Sequence, residues 1–270
     1  MATSLLKSLP AFQPDLIAVT GDLADSPRSR YYRSALLFLR ELQNALARAD
    51  GTKPQLIVIP GNHDYKPFGV IPLLLSMRFH VYFGLWADRR DPLKLKDRLA
   101  RYASLLNAWR ERLFDQRPWN TGNRVYPLCV TGAGAVIVGY DSNWTRFLAT
   151  GRIEASEIRD TPAVLLPHIT VDPSALRIAL LHHHPLPIPY SDHPGITDME
   201  AFLVMQNSGT FMHQMVENDF DIILHGHKHF NCFSRISYQN GTDHLSQIAV
   251  LGAGTATKEG GITKAKTLST

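Results

Sequence analysis

Four times in this chain a short apolar run ends on side chains able to donate to a metal, and that recurrence restricts the fold more than any other feature. Leu16-Ile-Ala-Val-Thr20 runs into Gly21-Asp22, and Leu56-Ile-Val-Ile59 into Pro60-Gly-Asn-His-Asp64. Arg177-Ile-Ala-Leu-Leu181 meets His182, His183 and His184, and Ile222-Ile-Leu224 leads into His225-Gly-His-Lys-His229. Runs this short and this apolar read as buried strands. In an open α/β sheet a site forms outside the carboxyl ends of the strands, so these four exits would meet in one crevice.

The intervening segments fit such a sheet. Ser26-Pro27 is a helix start, and Ala35, Phe38, Leu39, Leu42, Ala45 and Leu46 follow at helical spacing until Gly51. Strand, helix, strand is a βαβ crossover. A second helix is expected over 91–113, after an irregular aromatic stretch that holds Phe83 and Trp86. Strands are expected over 125–130, 135–140 and 247–251, a short acidic helix over 154–160, and a helix over 197–218 broken near Ser208-Gly209. No repeat, low-complexity tract or linker divides the chain, so one domain spanning 1–270 is expected.

Composition removes several classes. The two cysteines, Cys129 and Cys232, lie far apart, which excludes a disulfide framework and a C-x-x-C metal cage and fits a reducing compartment. No run nears the ~20 apolar residues of a membrane span, and residues 1–20 show no secretory leader, so a cytoplasmic location is expected. The net charge of +4 is scattered, with a concentration at 89–112 that reads as a solvated helix face rather than a strong nucleic-acid signal. Of the twelve histidines, seven fall in the three strand-exit segments, at His63, His182–His184 and His225/His227/His229.

In an extended segment residues i and i+2 point the same way, so His227 and His229 would face one point, while His225, still within the strand run, is read as packing or as a partner of a ligand. The donor set is a carboxylate, an amide and imidazoles without thiolate, which suits Mn, Fe, Co or Zn. A carboxylate can bridge two such ions ~3.5–4 Å apart, the clamp used for displacement at phosphorus through a metal-activated hydroxide. A nearby histidine can protonate the leaving alkoxide. Singly, each motif has a plainer reading. Asp22 could cap a turn; Asp25 and Asp64 could bond loop backbone or orient a ligand; Asp141 and Asn143 could do either. His80, His168, His193, His213 and His244 have no supporting pattern. Met199, Met205, Met212 and Met215 with Phe202 and Phe211 read as core, and Cys232 as a core or lining thiol.

Taken together, Gly21-Asp22-Leu-Ala-Asp25, Gly61-Asn62-His63-Asp64, the triple histidine before Pro185 and Gly226-His227-Lys-His229 resemble the ordered motif set of the calcineurin-like metallophosphoesterases. The resemblance implies an α/β fold, a four-layer α-β-β-α sandwich, here without its first strand. It implies hydrolysis of a small-molecule phosphomono- or diester at two divalent ions, with cyclic-nucleotide phosphodiesterase-like proteins the nearest in their His-His-His-Pro-Leu-Pro segment. Asp22 would bridge the ions, Asn62 and His227 would bind the second with one histidine of the triplet, and His229 the first. His63 would contact the phosphate and act as the acid. The histidine before the final His-Pro, here His183, is the family's usual ligand, with His182 and His184 as alternatives one residue away. The family's opening Asp-x-His, which supplies two first-metal ligands, has no counterpart, since residues 1–21 hold one aspartate, Asp15, and no histidine. Three expectations follow from that gap: an incomplete chain, N-terminally and possibly C-terminally; a short form with its first metal site weak or empty; or a non-catalytic scaffold that keeps the fold.

Overall fold

The computed structural model describes residues 13–23, 29–64, 128–132, 134–143, 151–187, 204–229, 231–239 and 245–254. Two sheets carry the fold. Strands β1 (Leu16–Val19) and β2 (Gln55–Val58) pair in parallel as a two-stranded sheet. The second sheet has six strands: β3 (Leu128–Gly132), β4 (Ala135–Gly139), β5 (Leu176–Leu180), β6 (Ile222–His225), β7 (Cys232–Gln239) and β8 (Leu245–Gly252). Their order is β3-β4-β5-β6-β8-β7, parallel from β4 to β8 and antiparallel at both edges.

Side-chain alternation along the strands builds the layers. Ile57 and Ile59 join Ile137, Ile178 and Leu180 in one cluster, with Leu16, Ala18, Ile222 and Leu224 against it, so this cluster fills the space between the sheets. The alternate residues turn away. Leu56 and Val58 meet Leu36 and Leu39 of helix α1 (Ser29–Ala45). Val136, Val138, Ala179, Ile223, Ile248 and Val250 meet helices α2 (Ala155–Val171) and α3 (Ser208–Glu217) through Ile158, Leu165, Phe211, Met212 and Met215. Strands β1, β2, β4, β5 and β6 are thus apolar on both faces, which is why they read as continuous apolar runs. The result is the expected four-layer α-β-β-α sandwich. Burying each such Leu or Ile contributes roughly 1.5–3 kcal/mol.

Several expectations change. Helix α2 continues to Val171 through Pro162 and Pro167 rather than ending near residue 160. Both prolines lie on its exposed side, while Ile158, Thr161 and Leu165 hold it to the core. Residues 204–207 are not helical: Val204 bridges to His184, and α3 starts at Ser208, where the sequence places a break. Strand β7 has no counterpart among the expected strands. Asp25, Phe83, Trp86 and the helix expected over 91–113 lie outside the described residues.

Candidate metal centre

The parallel strands deliver their exits to one side, and backbone hydrogen bonds continue past the strand ends. Ile59 N–H donates to the Val19 carbonyl (3.1 Å), Tyr140 N–H to Leu180 (2.8 Å), Leu181 N–H to Leu224 (3.0 Å) and Gly226 N–H to His182 (3.0 Å). The two sheets approach closely at their glycines. Gly21 has φ +97°, and a Cβ there would stand 2.6 Å from the Gly61 backbone and from His182 Nδ1. A Cβ on Gly226 would stand 2.6 Å from Thr20 Oγ1.

At the centre lies His182, fully buried. Its Nδ1 is 2.6 Å from the Thr20 carbonyl. A carbonyl only accepts, so Nδ1 carries the proton and Nε2 faces inward. Nε2 meets Asn62 Oδ1 at 2.8 Å, His227 Nδ1 at 3.2 Å and Asp22 Oδ2 at 3.4 Å. His227 Nδ1 is also 2.9 Å from Asn62 Oδ1. Asn62 Oδ1, His182 Nε2 and His227 Nδ1 therefore form a triangle of donor atoms from three strand exits, and Asp22 Oδ2, from a fourth, adjoins it at His182. Donors about 2.1 Å from a shared ion stand roughly 3.0–3.4 Å apart, so the arrangement fits a divalent cation. His182, His183 and His227 together form a group whose ligand atoms all lie within 4.8 Å of one another.

Charge at this point follows from burial and contact. Burial pushes the Asp22 carboxyl up, but the His182 side chain and the His63 backbone N–H (2.9 Å to Oδ1) outweigh it and leave its pKa below the usual value. The carboxylate is held ionised. Burial first, then neighbouring His183 and His182, depress the His227 imidazole strongly, which keeps it a neutral donor. Burial likewise depresses His184 to about 2 and His225 to about 4.

The other candidates take distinct places. Asn62 and Asp64 are buried in a short 3₁₀ turn, Asn62–Asp64, and His63 between them is exposed beside Asp22. Asp64 Oδ2 accepts the Gly61 N–H (2.8 Å) and the Leu23 N–H (3.4 Å), joining the loops after β1 and β2. Asp141 is buried, and its Oδ1 accepts from Asn143 N–H (3.0 Å) and Nδ2 (2.8 Å). Asn143 Nδ2 also donates to the Pro60 carbonyl (3.0 Å), tying the β4 exit to the β2 exit. His183 lies against Gly151, and its Nδ1 is 2.8 Å from Ser142 Oγ. His184 stacks edge-on with His225, centroids 4.4 Å apart, and its ring lies 6.0 Å from that of His227.

The i, i+2 expectation for His227 and His229 does not hold. The strand ends at His225, and both residues have positive φ (78° and 55°), so the segment turns rather than extends. His227 goes into the cluster, while His229 is exposed and outside the buried imidazole group. Asp22 also sits at φ 55°, a conformation Asp tolerates better than most residues. Thr20, Ser142 and Gly151 were missed by sequence reasoning. Thr20 acts through its backbone carbonyl, which side-chain identity does not reveal; Ser142 does stand at a strand exit, the one signal that could have found it.

Apolar parallel strands whose exits gather a carboxylate, an amide and imidazoles define a metal-dependent hydrolase of the layered α/β type. The sequence matches the calcineurin-like phosphoesterase family over residues 2–231, and the chain belongs to that family, whose chemistry is phosphoester hydrolysis with divalent metal ions. Among curated proteins no match to the chain is found. Among solved structures it is similar to Phosphopantetheinyl Hydrolase (PptH) from Mycobacterium tuberculosis, with 16% identity, 93% of this chain and 84% of that chain covered, and a TM-score of 0.45. It is also similar to a dimetal phosphatase from Danio rerio, with 14% identity, 94% and 76% covered, and a TM-score of 0.45. Among the described residues no helix is long and apolar enough to cross a membrane.

Proposed function

We propose that the strand-exit crevice hydrolyses a small-molecule phosphoester, with Asp22, Asn62, His182 and His227 holding one divalent ion. The supporting observation is that His182 Nε2 stands 2.8 Å from Asn62 Oδ1, 3.2 Å from His227 Nδ1 and 3.4 Å from Asp22 Oδ2, with Asn62 Oδ1 and His227 Nδ1 2.9 Å apart. A divalent ion bound there would polarise a phosphoryl oxygen and lower the pKa of a coordinated water. The chain's own groups do the rest. The Thr20 carbonyl fixes the His182 tautomer, and Asp64 locks the two loops that carry Asp22 and Asn62. His63 is exposed at the edge of the crevice with its backbone pinned to Asp22. From there its ring can give a proton to the departing alkoxide. Asp22 and His229 are the groups proposed for a second ion.

Within the ester classes the His182-His-His-Pro-Leu-Pro187 segment favours a diester of the cyclic-nucleotide kind. The reading is tested with bis-p-nitrophenyl phosphate, p-nitrophenyl phosphate and 3′,5′-cyclic AMP at several divalent ions. Metal-dependent turnover that Asp22→Ala reduces by about 10³-fold or more is expected, and His63→Ala should slow it by about 10²–10⁴-fold. Hydrolysis of the monoester alone would remove the diester preference. A second reading, a fold that binds one ion without turnover, is favoured by the position of His229 outside the buried group. It gains the field if the metal-loaded chain binds one ion and hydrolyses none of the three esters.

A further inference from the structure

Lys228 stands between the two histidines of the β6 exit loop. The chain turns sharply there. His227 and His229 both have positive φ (78° and 55°), and the Lys228 N–H donates to the Gly226 carbonyl (3.1 Å). The turn sends His227 into the buried cluster and leaves His229 exposed, with Lys228 half-buried between them. Its charge reaches inward: burial, then neighbouring imidazoles, then the Lys228 ammonium depress His227 and His184. The ammonium therefore lies beside the crevice rather than out in solvent. Burial in turn pushes the Lys228 amine below its usual value. A partly buried cation is costly unless an anion faces it. Among the described residues no carboxylate pairs with Lys228. Half-buried Arg177, in contrast, meets Asp219 at 3.1 Å. The Asp22 carboxylate is engaged by His182 and the His63 backbone N–H.

We infer that Lys228 is an anion-binding residue of the crevice, its ammonium taking a non-bridging phosphoryl oxygen of the ester. The inference rests on the metal-dependent hydrolysis proposed above and deepens it. A bound divalent ion would outweigh the Asp22 charge, and Lys228 adds to that excess. A phosphoryl anion supplies the missing counter-charge to both. Lysine meets a phosphate as a point charge on a flexible stem, so it can reach an oxygen of a monoester or of a diester. His63 at the β2 exit and Lys228 at the β6 exit then divide the work. One serves the departing oxygen, the other an oxygen that stays on phosphorus.

The test separates anion binding from metal binding. Full-length protein is loaded with Zn2+, and calorimetry measures its affinity for inorganic phosphate. Chelator competition measures its affinity for Zn2+ in parallel. Lys228→Gln should weaken phosphate binding by about 10–100-fold and leave Zn2+ affinity unchanged. Lys228→Arg keeps the charge and should lose far less. Equal phosphate affinity in Lys228→Gln and the unsubstituted chain would overturn the inference, as would a Zn2+-loaded chain that binds no phosphate; the metal centre stands in both cases. An equal loss in the Arg and Gln variants, or a parallel fall in Zn2+ affinity, also overturns it, because Lys228 would then only support the turn. If the unsubstituted chain takes up no Zn2+, the metal-centre reading fails and this inference falls with it.

Discussion

At the scale of single residues, the site depends on backbone conformations that few side chains tolerate. Gly21 is the clearest case, since its φ of +97° and its contacts with Gly61 and His182 leave no room for a methyl group. Gly51 has a similar φ of +84° but nothing within 4 Å of a Cβ. Both Gly→Ala changes carry the left-handed penalty of about 1–2 kcal/mol. Only Gly21→Ala adds the collision, and it should cost about 1–3 kcal/mol more and weaken metal binding. Urea denaturation of the two variants compares them directly; equal losses would show that the close approach at Gly21 is unimportant. The same scale sets the limit of sequence reading. Asp22, Asn62 and His227 could be picked as donors because each follows an apolar strand. Which histidine of the triplet reaches Asn62 could not, because it is decided by the Thr20 carbonyl, 162 residues from His182. The direction of His229 was misjudged because the chain turns at His227 and His229, both at positive φ, where the alternation argument assumed an extended segment.

At the scale of elements, legibility followed burial. Strands β1, β2, β4, β5 and β6 are apolar on both faces and were read from their runs. Strand β7 alternates half-buried Cys232, Ser234, Ile236 and Tyr238 with exposed Phe233, Arg235, Ser237 and Gln239. It is an edge strand, and with one face open no apolar run marks it. Helix α2 runs on past residue 160 although a proline inside a helix removes a hydrogen bond and strains the preceding turn. The structure keeps both prolines on the exposed side, so the helix persists at a cost. Pro162→Ala should therefore stabilise the protein by about 1–2 kcal/mol, the recovered helix term exceeding the entropy returned to the unfolded chain. A raised urea midpoint with an unchanged slope is the expected result. A lowered midpoint would mean that α2 does not run continuously through residue 162.

At the scale of the whole molecule, the centre joins the two sheets. Asp22 and Asn62 come from the exits of β1 and β2, and His182 and His227 from the exits of β5 and β6. The apolar layer between the sheets and the Asn143–Pro60 hydrogen bond also cross that gap. None of these imposes one geometry on four loops as a shared ion would. An ion that binds only the folded chain adds RT ln(1 + [L]/Kd), about 2.7 kcal/mol at a free concentration one hundred times Kd. For a chain of this size that corresponds to a rise in Tm of roughly 5–10 °C. Thermal melts of stripped protein against Zn2+ concentration should climb by that amount and continue to rise logarithmically beyond it. His227→Ala removes the β6 contribution and should flatten the dependence, whereas a substitution remote from the crevice, such as Pro162→Ala, should shift the curve without changing its slope. A Tm indifferent to Zn2+ in the unsubstituted chain would show that the sheets are joined by packing and hydrogen bonds alone.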